Sequence, residues 1–365
     1  MIPEDVQDSP LIALPLGVSG RAPSLRETLD HQVAACLDAY RHARRDIAVL
    51  LRGHALASGS DEQVFAAGLS LDTARHLVAR EHEFRDWADA IVRGNELVDR
   101  TFEAAVNAVV EGDLDGLERL LSAYPTLARV RSAYGHRATL LHYVAANGVE
   151  QTKQRSPANA PMIARALLDA GAEPDAQSAS YGGSCTTTLE LLVSSSHPAA
   201  AGVQADIVEE LCRRGAKVEG IADDAAPLWT AITWGYTLAA ERLVACGARV
   251  DNLIAAAAVE TLERVKGYFG DDGRVSPIVN LRGARHFSHG RPFDLRCLLE
   301  YALIWAASHG RRDVVEFLLL KGPNLDVREP VYGNTALDAA KHRHPAAGRA
   351  DGCPEIAALL EAARR

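Results

Sequence analysis

A short basic segment in the last third of this 365-residue chain carries the side chains with the most obvious chemistry. Within residues 281–291 lie three arginines and two histidines: Arg282, Arg285, Arg291, His286 and His289. Arginine presents a planar fork of donors that fits a carboxylate or a phosphate. The two histidines would bind a metal only if a third ligand, such as His309, approached them. The alternatives are therefore an anion clamp, a metal site or, as is usual for charge runs, a solvated loop.

No other motif indicates catalysis. The sequence contains no G-x-S-x-G elbow, no Walker phosphate loop, no H-E-x-x-H and no dinucleotide-binding glycine pattern. Its six cysteines lie far apart without a C-x-x-C pair, which predicts reduced and mostly buried thiols rather than a zinc cluster. We therefore expect no cofactor and no metal, and the sequence favours a protein that is not an enzyme.

Composition limits the classes of partner. The chain has 39 basic and 48 acidic residues, a formal net charge of −9, and so lacks the dense positive face that nucleic-acid binding needs. No apolar run approaches the roughly 18 residues of a membrane-spanning helix. Residues 1–8 carry acids where a secretory leader would carry basic residues. These features predict a cytoplasmic protein that binds neither nucleic acid nor membranes.

Internal repetition indicates the architecture. Residues 166–172, 210–216 and 242–248 each read as the end of an amphipathic helix followed by glycine and alanine, and residues 317–322 end in the same way. A second kind of helix precedes them, for example at residues 139–148 with the sequence TLLHYVAANG. Together these segments resemble the ankyrin repeat, in which T-P-L-H-x-A-A-x-x-G is followed by a helix that ends L-L-x-x-G-A.

The spacing between paired helices supports seven units. In four units the paired apolar residue of the second helix lies 14 positions after the histidine position of the first helix, as Leu243 does after Trp229. In the other three units the separation is longer because residues are inserted near 151–161, 195–202 and 345–352. A solenoid tolerates such loops, since each unit needs only to stack on its neighbours. We predict an all-α ankyrin-repeat solenoid of about seven helix-turn-helix units, capped by an N-terminal helical segment.

Two of the β-hairpin fingers between units are predicted to be irregular. The step from Trp229 to Ile254 is only 25 residues, whereas the next step, from Ile254 to Ile304, is 50. Compared with the usual repeat of about 33 residues, the longer step predicts an insertion of about 17 residues at roughly 270–292. Functional residues concentrate in loops of this kind.

Residues before about 98 do not fit the repeat and predict a helical leader. Apolar residues from Leu25 to Leu51 keep helical spacing, which predicts one long amphipathic helix. Residues 70–87, SLDTARHLVAREHEFRDW, resemble a leader found ahead of bacterial ankyrin arrays, with Glu83 where that pattern usually has glycine. The predicted domains are an irregular arm over 1–23, a helical capping domain over 24–98 and an ankyrin repeat domain over 99–365.

The resemblance also implies where a ligand would bind. In the ankyrin family, residues just before the helix-ending glycine and residues on the finger tips usually contact the ligand. The candidate binding residues on the first helices are Trp234, His309, Trp229, Trp305 and Tyr143. An exposed tryptophan near a histidine suits an interface hot spot or the wall of a pocket. The alternative is that Trp234 packs inside the solenoid core.

The histidine position of the repeat has its own two interpretations. The resemblance implies that His142 bonds to the backbone of neighbouring fingers, and Glu190 and Asp338 occupy the same position in units three and seven. Their carboxylates could make similar backbone bonds. Partial burial could instead raise the pKa of either carboxyl and supply a general acid or base. Nothing in the sequence pairs them with a nucleophile, which favours the structural interpretation.

Two functions remain open from the sequence. The resemblance implies a protein–protein interaction scaffold that binds a partner protein through the concave groove and finger loops. The alternative is an unusual enzyme or small-molecule-binding protein with a pocket built from repeats four to six and the 270–292 insertion. An open groove with scattered exposed aromatic side chains would favour the scaffold. An insertion folded over the tryptophans and converging polar groups would favour the pocket.

Overall fold

The computed structural model describes residues 22–276, 294–341 and 353–364. The chain divides into two compact units, the first ending at Leu192 and the second beginning at Val193. This division falls inside the predicted repeat domain, and the predicted domain boundaries at 23/24 and 98/99 stay predictions. Three predicted features lie wholly or mostly outside the described residues: the irregular arm over 1–23, the insertion near 345–352, and the 270–292 insertion with its basic residues Arg282, Arg285, His286, His289 and Arg291.

The leader folds around a core of its own. Its five helices are α1 Leu25–Arg41, α2 Arg45–Gly53, α3 Asp61–Ala66, α4 Leu71–Glu81 and α5 Trp87–Val92. Apolar side chains from all five helices pack in or against one buried cluster, which the finger residues Ala133 and Tyr134 also join. The two ends of the leader meet, because Leu25 N donates to Glu96 O at 2.7 Å and Val98 N donates to Pro23 O at 2.9 Å.

The prediction of one long helix from Leu25 to Leu51 is wrong. Helix α1 ends at Arg41, and Ala43 takes the left-handed conformation with φ of 49°. The amide of Arg44 then bonds back to Ala39 O at 3.0 Å, and α2 begins at the next residue. Both helices bury their apolar residues in the same core, so the helical spacing continues across the break and conceals it.

The first unit also contains the first repeats. Two helix pairs follow the leader: α6 Arg100–Glu111 with α7 Leu114–Ala123, and α8 Leu140–Val144 with α9 Ala160–Asp169. Short 3₁₀ helices lie at Leu127–Arg129 and Gln151–Lys153. Strands β1 Gln177–Ala179 and β2 Ser184–Thr187 pair antiparallel, with Ser178 opposite Thr186. A turn at Ser180–Gly183 joins them, in which Tyr181 has a φ of 53° and Gly182 a φ of 77°. Helix α10 Thr188–Leu192 ends the unit.

The second unit continues the helical repeats. Its elements are α11 Ser196–Ala200, α12 Gln204–Arg213, α13 Ala226–Thr233, α14 Thr237–Ala245, α15 Leu253–Val259, α16 Leu262–Lys266, a 3₁₀ helix Leu295–Cys297, α17 Leu298–Ser308, α18 Arg312–Leu319, α19 Ala336–Lys341 and α20 Cys353–Ala363. Each of the seven predicted helix pairs therefore occurs among the described residues, and the all-α repeat architecture is confirmed. No described helix is both long and apolar enough to cross a bilayer.

The C-terminus of α15, the first helix of the fifth repeat, is capped by a side chain from the next repeat. Helix α15 ends at Val259 without a glycine, which leaves its last carbonyls in need of donors. The guanidinium of Arg311 donates to Ala258 O at 2.9 Å and to Val259 O at 3.0 Å, and it also pairs with Glu241 at 2.6 Å. A cation at a helix C-terminus is favourable as well. Arg311 thus supplies the cap that glycine supplies elsewhere.

Glu83 provides a test of strain in the leader. Its φ is 59°, a conformation that costs a residue with a side chain roughly 1–2 kcal/mol more than glycine. Burial raises the pKa of its carboxyl group above the ordinary value. We expect Glu83→Gly to be about 1 kcal/mol more stable than Glu83→Ala in urea denaturation, because both variants lack the carboxylate and only alanine keeps the strain. Equal stabilities would contradict a strained turn.

Candidate functional site

The histidine position of the second repeat has a structural role. Nδ1 of His142 accepts from the amide of Thr139 at 3.1 Å and lies 2.9 Å from its hydroxyl, which closes the N-terminus of α8. Burial, with a smaller effect of Arg131, lowers the pKa of His142 to about 4. The ring is therefore neutral at pH 7, as a hydrogen-bond acceptor must be.

The acids in the same position make the same kind of cap. Glu190 accepts from Thr187 N at 2.8 Å and from its hydroxyl at 3.1 Å. Asp338 accepts from Thr335 N at 3.1 Å and from its hydroxyl at 2.9 Å, and these backbone bonds lower the pKa of Asp338. Each carboxylate thus bonds to the backbone at the start of its own helix, whereas the resemblance implied bonds to neighbouring fingers.

His309 lies inside the second unit and not on a groove surface. It is fully buried, and its Nε2 lies 3.0 Å from Ile232 O while its Nδ1 lies 2.8 Å from the hydroxyl of Thr237. A carbonyl oxygen can only accept, so Nε2 carries the proton and Nδ1 accepts from Thr237. Both ring nitrogens are used to join α17 to α13 and α14, which corrects the expectation that His309 faces a ligand or a metal.

Of the three candidate tryptophans, two are buried. Trp229 and Trp305 pack among the repeats of the second unit, whereas Trp234 is 39 % exposed. Trp234 is the residue after α13 and immediately precedes Gly235, the position that the resemblance assigns to ligand contact. The placement of Trp229 and Trp305 is thus corrected to the interior, since they occupy the side of their helices that packs against neighbouring helices.

A second exposed aromatic side chain bonds to the residue that precedes Trp234. The hydroxyl of Tyr332, a residue of the loop between α18 and α19, donates to Thr233 O at 3.0 Å, and its side chain is 52 % exposed. Tyr236, two residues after Trp234, is buried. Its burial, together with the electrostatic effect of Tyr332, raises the pKa of Tyr236 to about 12. We call Trp234, Tyr236 and Tyr332 the aromatic patch.

Tyr143, the last candidate on a first helix, belongs to a buried polar cluster in the first unit. It is fully buried, and its ring meets the ring of His136 edge-on at 5.9 Å. Glu150 Oε1 lies 3.4 Å from His136 Nε2 and 3.3 Å from Nδ1 of His82, which comes from the leader. His82 Nε2 in turn lies 2.8 Å from Gln32 Oε1. The cluster therefore joins the leader to the first two repeats.

Two carboxyl groups of this cluster have opposite pKa shifts. Burial opposes ionisation of Glu150, but His136 and His82 outweigh it and hold the pKa of Glu150 well below its usual range. Burial, assisted by the charge of Glu150, raises the pKa of Glu103 on α6 to about 8. Glu150 is thus ionised and Glu103 mostly protonated at pH 7. Opposite shifts in neighbouring acids occur both at active sites and in structural networks.

Three polar atoms of the cluster have no hydrogen-bond partner among the residues that the structure describes. They are Glu150 Oε2, the Tyr143 hydroxyl and His136 Nε2, whose approach to Glu150 is poorly aligned for a hydrogen bond. Buried polar atoms of this kind usually bind an ordered water molecule. In the described part of the chain, no group of three or more His, Cys, Asp or Glu side chains could hold a metal ion.

A comparison with known protein families finds one match, to a segment of the second unit. The family model described as Ankyrin repeat matches residues 300–329, which span most of α17, all of α18 and the start of the following loop. Residues 300–329 therefore contain an ankyrin repeat. Ankyrin repeats are generally protein–protein interaction modules. No curated protein sequence matches the chain.

A solved structure is also similar to this chain. It is titled "Crystal structure of human ASB11 ankyrin repeat domain". The sequences are 20% identical, and the match covers 73% of this chain and 97% of that chain, with a TM-score of 0.35.

Sequence reasoning on the ankyrin repeats missed two features. Tyr332 carries a usable signal, because it precedes Gly333 in a finger, where the family contacts ligands. The pairing of Glu103 with Glu150 carries no signal in the sequence. Glu150 lies in an insertion between α8 and α9, and one of its two histidine partners, His82, lies in the leader. A surface depression of about 380 Å³ beside α6 and α7 contains none of the candidate residues.

Proposed function

We propose that this ankyrin-repeat protein is a scaffold that binds a partner protein, and that Trp234 and Tyr332 of the aromatic patch form the centre of the contact. The observation that carries the proposal is the exposure of both aromatic side chains at positions that the family uses for ligands. Tryptophan and tyrosine dominate binding energy in interfaces because they bury a large apolar area and keep a polar tip.

The loop that holds Tyr332 is ordered before any partner binds. Glu329 is buried, and its carboxylate accepts from the amides of Val331 at 2.5 Å, Tyr332 at 3.0 Å and Asn334 at 2.9 Å. The bond from Tyr332 to Thr233 O fixes the ring itself. A pre-ordered side chain loses less conformational entropy on binding, which favours affinity. The expected partner surface presents an apolar or aromatic side chain to Trp234.

Affinity capture with matched variants tests the proposal. Wild type, Trp234→Ala, Tyr332→Ala and Leu238→Ala are used as baits for a lysate of the source organism, and retained proteins are identified by mass spectrometry. Leu238 is the control, because it is an exposed apolar residue of α14 outside the patch. We expect a protein retained by wild type and Leu238→Ala to be retained at least tenfold less by both patch variants, about 1.4 kcal/mol or more.

Two outcomes would contradict the proposal. Equal retention by wild type and Trp234→Ala would place the interface elsewhere on the protein. Native mass spectrometry that finds a bound small molecule, and no retained protein, would favour the alternative of a pocket protein. A bacterial origin, a cytoplasmic location and the absence of nucleic-acid binding stay predictions.

A further inference from the structure

The surface depression of about 380 Å³ beside α6 and α7 is a groove lined by residues of both helices of the first repeat. Its apolar and small lining residues are Ala104 and Ala108 of α6 and Gly116 and Leu120 of α7. On each helix the two residues are four positions apart and therefore lie on the same side. The volume falls within the range of small-molecule sites, roughly 300–1,000 Å³. The groove thus has room for a small solute with an apolar part.

Opposite charges lie at the two ends of this groove. Glu111, the last residue of α6, and Asp113, the residue before α7, line the end at which the two helices join. Arg119 lines the groove six residues after Asp113, which is about 9 Å further along α7 at roughly 1.5 Å per residue. A ligand that uses both charges therefore needs a cationic and an anionic group about 9 Å apart.

The charged groups at both ends are available to a ligand. Glu111 and Arg119 are exposed, and neither side chain forms an ion pair or a hydrogen bond with any residue that the structure describes. Asp113 is partly used, because its Oδ1 accepts a backbone bond within α7 at 2.9 Å. Between the ends, Oδ1 of Asn107 accepts from the ammonium of Lys153 at 2.6 Å. The amide NH₂ group of Asn107 is the part that can donate to a ligand carbonyl.

We propose that this groove binds a short peptide of about three residues with both termini free. An extended chain spans at most about 3.3–3.6 Å per residue, so three residues match the separation of the two charges. The terminal ammonium pairs with Glu111, and the terminal carboxylate accepts from the planar guanidinium of Arg119. Small side chains, such as the methyl group of alanine, pack on Ala104 and Leu120.

Titration of the ¹⁵N-labelled full chain with trialanine, followed by NMR, tests the site. We expect the amide resonances of the groove residues to shift, with a dissociation constant on the order of 1 mM. Acetylation of the peptide N-terminus or amidation of its C-terminus should each weaken binding about tenfold or more, because each removes one terminal charge. Dialanine should bind more weakly as well, since it is too short to reach both ends of the groove.

Matched variants test the same site from the side of the protein. Glu111→Gln and Arg119→Gln each remove one charge, whereas Ala104→Phe fills the groove from an exposed helical position and keeps both charges. Each variant should weaken trialanine binding about tenfold or more. The control is Glu118→Gln, an exposed acid of α7 outside the groove, which should bind as wild type does.

Three results would overturn the proposal. They are the absence of any resonance shift with trialanine, equal binding of the acetylated or amidated peptide, and binding that persists unchanged in Arg119→Gln. The groove belongs to the first unit and the aromatic patch to the second, so the two proposals are tested by different variants and one can fail without the other.

Discussion

Gly135→Ala is expected to lower the free energy of unfolding of the first unit by about 3 kcal/mol. A Cβ atom at this position would stand 2.5 Å from the carbonyl oxygen of Glu83, 2.6 Å from its carbonyl carbon and 2.7 Å from the amide nitrogen of Phe84. All three are backbone atoms of the leader turn, so no side chain can rotate to make room. The amide of Gly135 also donates to His82 O at 2.9 Å, which holds finger and leader together.

Urea denaturation and hydrogen exchange of Gly135→Ala and a matched control measure this effect. The control is Gly267→Ala in the second unit, where the added Cβ meets only Arg264 O at 3.2 Å and the backbone is helical. We expect the control to change stability by less than about 1 kcal/mol. In Gly135→Ala, amides of the leader should lose protection. Wild-type stability in Gly135→Ala would show that finger and leader do not approach as closely as described.

Glu150→Gln is expected to cost about 3 kcal/mol at pH 7, because it removes the buried negative charge that lies 3.3 Å from Nδ1 of His82 and 3.4 Å from Nε2 of His136. The pKa of Glu150 is lower in the folded protein than in the unfolded chain. Its contribution to stability is therefore present above the unfolded value of about 4.5 and is lost as the pH falls through the folded value. The loss caused by Glu150→Gln should accordingly shrink on acidification.

The contribution of Glu103 to stability has the opposite dependence on pH. Its folded pKa is raised to about 8, so the folded protein holds a proton that the unfolded chain releases above about pH 4.5. Stability from this group therefore falls as the pH rises from about 4.5 to 8. Glu103→Gln mimics the protonated acid and should remove that fall, raising stability at pH 8 by on the order of 1–2 kcal/mol after allowance for partial exposure.

Urea denaturation at pH 5, 6, 7 and 8 of both variants and the double variant tests the pair. Glu150→Gln removes a negative charge that raises the pKa of Glu103, so the benefit of Glu103→Gln should be smaller in the double variant. The control is Glu111→Gln, an exposed acid at the end of the same helix. Strict additivity at pH 8 would show that the two carboxyl groups do not interact.

The sequence by itself determined the repeating elements. The 14-residue spacing and the glycine and alanine endings located seven helix pairs, because each pair depends on neighbouring residues in one short segment. Capping is local as well. Glu190 and Asp338 accept from a threonine three positions earlier, as His142 does, and so a histidine position tolerates a carboxylate without losing its role.

Only the tertiary structure decided which of these side chains are available to a ligand. Trp229 lies on α13 and Trp234 follows that helix directly, five positions later, yet the first is buried and the second is 39 % exposed. Tyr332 donates to the carbonyl oxygen of Thr233, 99 positions earlier in the sequence, and His82 contacts Glu150, 68 positions later. Burial and pKa depend on atoms brought together from distant segments, and a spacing pattern contains no information about those neighbours.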